Sequence, residues 1–335
     1  MSVSITRRSR VSVLVAAAAM AVMVVGCVPQ PGDGGTDPAG SCQKIVEYPL
    51  ASGTSWAARS SVSADGSRIA FIRDGRIMVR EVATSVERDI TGDLAVGLPL
   101  GTLQISADGD QVGVTLPGII GANRDGYLID VETADSTRLD WSGLDWTTDM
   151  VGVGFSGDLS AFVFAQASSA RYWVVSGDGS PARSVALEST WATRLNLDAS
   201  VIASGMKANV RGTVHTYEGP DATSAVVVDL NASGDRALVT SSGKAYFWYL
   251  ETGLVEALPM APGEVSSEPS WARASDDGRF VVRSVSLADG DGGVWRFDLA
   301  TGEVTTLPRI FDGVTGISND GRVITSTNAA YYRCE

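Results

Sequence analysis

The chain has 335 residues, and its 39 Asp and Glu outnumber its 26 Lys and Arg, so the formal net charge at pH 7 is −13. Nucleic acids and anionic lipid surfaces bind clusters of Lys and Arg, so this acidic balance makes both poor partners. Three cysteines and one histidine leave few side chains for a zinc site or a histidine-based catalytic triad.

The first 27 residues have the layout of an export signal. Three arginines between positions 7 and 10 precede an uncharged, alanine-rich apolar run over 11–25. That run is shorter than the roughly 20 residues a helix needs to cross a bilayer, which favours cleavage over a permanent anchor. The sequence Val-Val-Gly-Cys at 24–27 resembles the lipobox of bacterial lipoproteins. The resemblance implies cleavage before Cys27 and lipid, diacylglycerol and palmitate, on that cysteine; the alternative is an ordinary signal peptide with a chance cysteine.

The segment after the lipobox has the composition of a linker. Residues 28–41 read VPQPGDGGTDPAGS, rich in Pro, Gly, Asp and Ser, with almost nothing to bury. We therefore expect a signal peptide at 1–26, a lipidated cysteine and flexible linker at 27–41, and a folded domain at 42–335. The domain would be tethered to a bacterial membrane on its extracytoplasmic side, at the cell surface or facing the periplasm, with the export route left open.

A short phrase recurs seven times along the remaining chain. It begins with Ser or Asn, usually continues with Asp and Gly, and is followed by alternating apolar residues, a pattern typical of a tight turn between strands. Successive copies start 43, 50, 40, 35, 44 and 43 residues apart, the spacing of four-stranded propeller blades. We call this element the turn phrase. Its copies start at Ser63, Ser106, Ser156, Asn196, Asn231, Ser275 and Ser318.

The intact copy at 63–71, SADGSRIAF, resembles the TolB-type, WD-like propeller repeat. Segments 250–259 and 298–308 resemble the end of such a blade, with a Thr-Gly turn and a strand closing on Leu-Pro. Leu159 and Ala199 replace the glycine in the third and fourth copies. The repeat implies an all-β fold, a seven-bladed β-propeller of four-stranded blades. A pair of β-sandwiches is the alternative, which the regular period disfavours.

The ends of the domain predict how the ring closes. From residue 313 to the end of the chain there is room for three strands, at 313–318, 322–328 and 329–335, so residues 43–50 can supply the missing fourth strand. Cys42 and Cys334 would then lie on adjacent strands. Outside the cytoplasm we expect this pair to form a disulfide.

No catalytic constellation stands out. His215, the single histidine, lies in an alternating strand pattern, and no Gly-x-Ser-x-Gly segment is present. Asp289 and Asp291 lie in a glycine-rich loop and are the candidates for Ca²⁺, although a plain hairpin turn uses the same residues. We therefore predict no catalytic residue, no zinc and no obligatory cofactor.

A ligand is expected on the face opposite the turn phrases, where loops join the blades. Tryptophans near these loops could bind a glycan or peptide, or could instead wedge between blades. The candidates are Trp56, Trp141, Trp146, Trp191 and Trp271. Trp173, Trp248 and Trp295 fall in predicted third strands and are expected to pack.

These features favour a monomeric, non-enzymatic scaffold that binds a protein, peptide or glycan. The alternative is a carbohydrate-active hydrolase or lyase that uses acidic residues at the propeller mouth. A third possibility is an assembly factor for envelope proteins.

Overall fold

The computed structural model describes residues 42–46, 60–94, 102–115, 126–141, 144, 150–166, 169, 171–177, 180–187, 193–288, 292–307, 313–327 and 331–335. The predicted signal peptide, Cys27 and the linker lie outside them. No helix within these ranges is long and apolar enough to span a membrane.

Within the described ranges, 28 strands form seven antiparallel four-stranded sheets, which confirms the seven-bladed β-propeller. A short 3-10 helix, Ala222–Ser224, precedes blade five. The strands are β1 (Cys42–Val46); β2 (Ser60–Val62), β3 (Arg68–Arg73), β4 (Arg76–Glu81) and β5 (Glu87–Asp89) in blade one; β6 (Thr102–Ile105), β7 (Gln111–Thr115), β8 (Gly126–Asp130) and β9 (Ser136–Arg138) in blade two; β10 (Met150–Phe155), β11 (Ala161–Gln166), β12 (Arg171–Ser176) and β13 (Arg183–Ala186) in blade three; β14 (Arg194–Leu195), β15 (Val201–Ser204), β16 (Lys207–Val210) and β17 (Thr213–Thr216) in blade four; β18 (Val226–Leu230), β19 (Arg236–Ser241), β20 (Lys244–Tyr249) and β21 (Val255–Ala257) in blade five; β22 (Glu264–Ala274), β23 (Phe280–Leu287), β24 (Gly292–Asp298) and β25 (Glu303–Leu307) in blade six; and β26 (Val314–Ile317), β27 (Val323–Ser326) and β28 (Tyr331–Cys334), which form blade seven with β1.

Each turn phrase joins the first and second strands of its blade, as predicted. In blade one the Ser63 hydroxyl donates to Asp65 Oδ1 at 2.7 Å and accepts from the Arg68 amide at 3.1 Å. The same Asp65 oxygen accepts from the Ser67 amide at 2.9 Å, so the side chains hold the turn closed. Leu159 and Ala199 take φ values of 60° and 54°, so copies three and four form the same left-handed turn without glycine.

The first strand of the domain closes the ring in blade seven. β1 pairs antiparallel with β28, and Cys42 lies directly opposite Cys334. The two cysteines form the predicted disulfide and are both buried. The chain ends are thereby joined covalently and by main-chain hydrogen bonds, so blade seven contains both ends of the domain.

The hydrophobic core lies between adjacent blades rather than at one centre. One cluster combines Ala70 and Ile77 of blade one with Ile105 and Val112 of blade two, all nearly inaccessible to solvent. Trp248, in the third strand of blade five, packs against Tyr217 from the end of blade four. Because the sheets bury their apolar faces against each other, the innermost strands are left to surround a central channel.

Candidate ligand site in the central channel

Trp141 is the ligand-face candidate whose side chain the structure describes. It is 7% exposed, and its ring stacks on Phe162 at 5.3 Å and meets the edge of Phe164 at 4.8 Å between centroids. This tryptophan therefore packs against blade three and offers no open ring to a ligand. Trp271 lies in β22, although its side chain is outside the described part. Trp56, Trp146 and Trp191 also lie outside the described residues.

His215 lies on β17, the outermost strand of blade four. The strand order separates it from the axis by three strands, so it contributes nothing to the channel. In the part of the chain that the structure covers, no group of three or more His, Cys, Asp or Glu side chains could hold a metal ion. The Ca²⁺ candidates Asp289 and Asp291 lie outside that part.

A cavity of about 280 Å³ occupies the central channel. Its walls come from the innermost strand of every blade and from the turn phrases at one end. This volume is at or just below the lower end of small-molecule pockets, roughly 300 to 1,000 Å³. The channel can therefore hold a small molecule but not a folded partner.

Seven equivalent positions form one ring of this wall. Each lies two residues before the first residue of a turn phrase, near the end of an innermost strand, and each lines the cavity. Three neighbouring blades contribute charged side chains, whereas two other positions are glycine. The ring consists of Ser61, Gln104, Gly154, Arg194, Asp229, Arg273 and Gly316.

The charged side chains of the ring bind the main chain of neighbouring blades. Arg194 donates through Nε to the carbonyl oxygen of Val228 in blade five. Arg273 donates through Nη1 to the same oxygen at 3.2 Å and through Nε to Thr315 in blade seven at 3.3 Å. Between them, Asp229 accepts from the Ala274 amide in blade six at 2.9 Å. The three side chains thus connect blades four to seven around the axis.

The two arginines are not neutralised by direct ion pairs. None of the ion pairs between described residues includes Arg194 or Arg273. Burial, and then repulsion from Arg273, lowers the pKa of Arg194 to about 10, and the attraction of Asp229 offsets this only in part. Burial likewise raises the pKa of Asp229, against the attraction of both arginines. All three groups remain available for electrostatic contact with a ligand.

Asp276 adds a second carboxyl to the cavity, from the turn phrase of blade six. Burial, followed by repulsion from Asp229 and Asp277, raises its pKa to about 6. Its side chain has no hydrogen bond to another described residue, although its amide donates to Asn319 Oδ1 at 2.8 Å. This carboxyl therefore changes charge near neutral pH while facing the cavity.

The turn phrases close a belt of hydrogen bonds around this end of the channel. Main-chain amides of one phrase donate to main-chain oxygens of the next. The exception is the amide of Asp276 in blade six, which donates to the side chain of Asn319 in blade seven. The links are Ala64 to Ala107 (2.9 Å), Ala107 to Gly157 (3.0 Å), Asp158 to Leu197 (2.9 Å), Leu197 to Ala232 (3.2 Å), Ala232 to Asp276 (3.2 Å), Asp276 to Asn319 and Asn319 to Ala64 (2.7 Å). The belt therefore connects the turn phrases of all seven blades at this end of the channel.

Sequence reasoning missed the ring because it searched the loops and the aromatic residues. A usable signal was present: counting two residues back from each turn phrase reaches one position per blade. That count finds Arg194, Asp229 and Arg273 on three consecutive blades. The sequence alone does not show whether these side chains face the channel.

Comparison with known proteins supports the fold and no more. No family model matches the chain, and no curated protein matches it in sequence. Among solved structures, a chain of the mitotic checkpoint complex is similar with a TM-score of 0.57 and 12% identity over 95% of this chain and 98% of that one. An oligogalacturonate lyase from Vibrio parahaemolyticus is similar with a TM-score of 0.58 and 12% identity over 89% and 97%. At this identity the likeness extends to the propeller alone.

Proposed function

We propose that this chain is an exported lipoprotein, lipidated at Cys27, whose propeller is a non-enzymatic module that binds a small ligand in its central channel. The observation that carries the binding role is the polar ring around a cavity of about 280 Å³, with Arg194 and Arg273 outside any ion pair among the described residues. The TolB-type resemblance of the turn phrase adds support, since such propellers serve mainly in interactions.

The lipid anchor is tested by fractionation of cells that express the full chain. Wild type is expected in the membrane fraction after detergent-free lysis and to incorporate labelled palmitate, which Cys27→Ser should fail to do. A matched Ser41→Ala variant, in the linker, controls for sequence changes near the anchor. Absence of label from wild type, or equal labelling of Cys27→Ser, would contradict lipidation at this residue.

The binding role is tested with purified chain and a panel of wall-derived sugars, sugar acids and amino acids. Ligand at 100 times its Kd adds about 2.7 kcal/mol to the free energy of unfolding, which gives a readable shift in Tm. Product analysis after prolonged incubation separates binding from turnover. A saturable shift with unchanged ligand supports the module, and a chemically altered ligand contradicts it.

One observation favours the alternative, a carbohydrate-active hydrolase or lyase. Asp276 lies in the cavity with a pKa of about 6, a range suited to a general acid or base. One of the similar structures is an oligogalacturonate lyase. An enzyme of this kind would release product from an acidic oligosaccharide, and Asp276→Asn would abolish that release without unfolding the protein.

A further inference from the structure

The two arginines of the channel have donors that the fold leaves unused. Arg194 bonds through Nε and Nη1, and Arg273 also through Nε and Nη1. Neither Nη2 donates to a described residue, and neither is among the buried side-chain atoms that lack a partner. Both Nη2 groups are therefore exposed to some solvent, and both side chains line the cavity.

The same two guanidinium groups are close together. Nε of Arg194 and Nη1 of Arg273 both lie within 3.2 Å of the Val228 carbonyl oxygen. Two like charges in a half-buried channel repel, and Asp229 offsets only part of this because its single carboxylate lies near both guanidinium groups. A bound oxyanion would supply the missing negative charge and accept both Nη2 donors.

The ring position next to Arg194, Gly154 in blade three, leaves room for such a ligand. A Cβ built at Gly154 would have no atom within 4 Å, so a side chain there would extend into open space. Gln104 and Thr315 line the same cavity and can bond hydroxyl groups. The volume suits a ligand of the size of one sugar ring or one amino acid.

Building on the proposed binding role, we infer that the channel binds a small organic oxyanion, a sugar acid or similar carboxylate, with its anionic group held between Arg194 and Arg273. The hydroxyl groups of the ligand lie toward Gln104, Thr315 and Asp276. Neutral sugars of the same size lack the group that the arginines recognise.

The first experiment compares D-glucuronate with D-glucose, and sulfate with chloride, by calorimetry on the full purified chain at constant ionic strength. Saturable binding of glucuronate and sulfate is expected, with none for glucose or chloride. Arg194→Gln and Arg273→Gln should each weaken binding about tenfold or more, the effect of losing one charge-assisted hydrogen bond. Arg76→Gln, on an exposed ion pair of blade one, is the matched control and should bind as wild type does.

Two further variants test the site without removing an arginine. Gly154→Leu fills part of the open space and should weaken glucuronate binding while the net charge stays the same. Asp276→Asn removes the carboxylate that repels an anion and should strengthen sulfate binding at pH 8. In wild type, sulfate binding should tighten from pH 8 to pH 5 as Asp276 is neutralised, because the carboxylates of Asp276 and Asp229 are the acidic groups that line the cavity.

The outcomes separate this inference from the proposed function. Binding of glucose as tight as that of glucuronate, or anion binding that survives both arginine substitutions, overturns the oxyanion site but leaves a binding module. Absence of saturable binding of both glucuronate and sulfate to folded wild type also overturns the site. Turnover of a bound sugar acid that Asp276→Asn abolishes overturns the non-enzymatic role and leaves the site in place.

Discussion

Arg194 and Arg273 donate to the same acceptor, the carbonyl oxygen of Val228, although they belong to blades four and six. Val228 lies on the blade between them, at a bulge where it is the extra residue of β18 and has no partner on β19. The bulge leaves this carbonyl out of the regular ladder, where two side chains can reach it. One main-chain oxygen therefore couples three consecutive blades.

This sharing predicts that the two arginines are not independent in stability. In either single variant, Arg194→Gln or Arg273→Gln, the Val228 oxygen keeps one donor, and the repulsion between the guanidinium groups is relieved. Each single change should cost about 1 kcal/mol or less. The double variant loses both donors, and the repulsion between the guanidinium groups is already relieved in each single variant. Its loss of unfolding free energy should therefore exceed the sum of the two single losses by more than about 0.5 kcal/mol. Urea unfolding of the four proteins measures this, and additive costs would contradict the sharing.

Asp276 predicts a pH-dependent difference in stability. Its pKa in the folded protein, about 6, is above the usual value of 3.8, so the folded state binds this proton more tightly than the unfolded state does. The associated stability is present below about pH 4 and is lost as the pH rises through 6. Asp276→Asn should therefore match wild type near pH 4 and exceed it at pH 8, by on the order of 1 kcal/mol after allowance for screening by channel water.

The measurement is the unfolding free energy of both proteins at several pH values, in one buffer series. Asp93→Asn is the control, because Asp93 is exposed, follows the last strand of blade one and is not among the residues that line the channel. A difference between Asp276→Asn and wild type that does not change between pH 4 and pH 8 would contradict a raised pKa in the channel.

The Cys42–Cys334 disulfide should contribute strongly to stability. It joins residues 292 positions apart, and the chain-entropy model gives loops of this length roughly 4 to 5 kcal/mol as an upper figure. Reduction of the purified protein should lower Tm and expose blade seven first, since β1 is held there by one neighbouring strand. The Cys42→Ser/Cys334→Ser variant should show the lower Tm with or without reductant. Equal Tm values for oxidised and reduced wild type would count against this contribution.

Glycines of the turn phrase should be more costly to replace than other left-handed glycines. Gly321 and Gly253 have φ values of 69° and 73°, but a Cβ at Gly321 would lie 2.5 Å from the ring of Phe280, whereas one at Gly253 meets nothing within 4 Å. Gly253→Ala should cost about 1 kcal/mol from backbone strain alone. Gly321→Ala should cost about 1 to 3 kcal/mol more, because blades six and seven must move apart. Equal losses of stability for Gly321→Ala and Gly253→Ala in thermal unfolding would show that the close approach of blades six and seven has no effect.

The period of the turn phrase was enough to predict seven blades, because a four-stranded blade needs a nearly constant length of chain. The spare strand at the start of the domain and the cysteine pair predicted that β1 closes the ring. The pairing of Cys42 opposite Cys334 confirms this. The ligand-face role of Trp56, Trp146, Trp191 and Trp271 stays a prediction, because their side chains lie outside the described part of the chain. An aromatic residue near a blade junction has the same local sequence whether it binds a ligand or, as Trp141 does, packs between sheets.

The sequence by itself determined the number of blades, the position of each turn and the way the ring closes, since all three depend on local spacing and turn chemistry. Only the tertiary structure decided which side chains face the channel. Side chains alternate along a strand, so a single bulged residue, such as Val228, reverses the faces that follow it. When the blades close into a ring, equivalent residues of different repeats come to lie at the same level of the channel. Arg194, Asp229 and Arg273 are such equivalent residues, and they therefore line one cavity together.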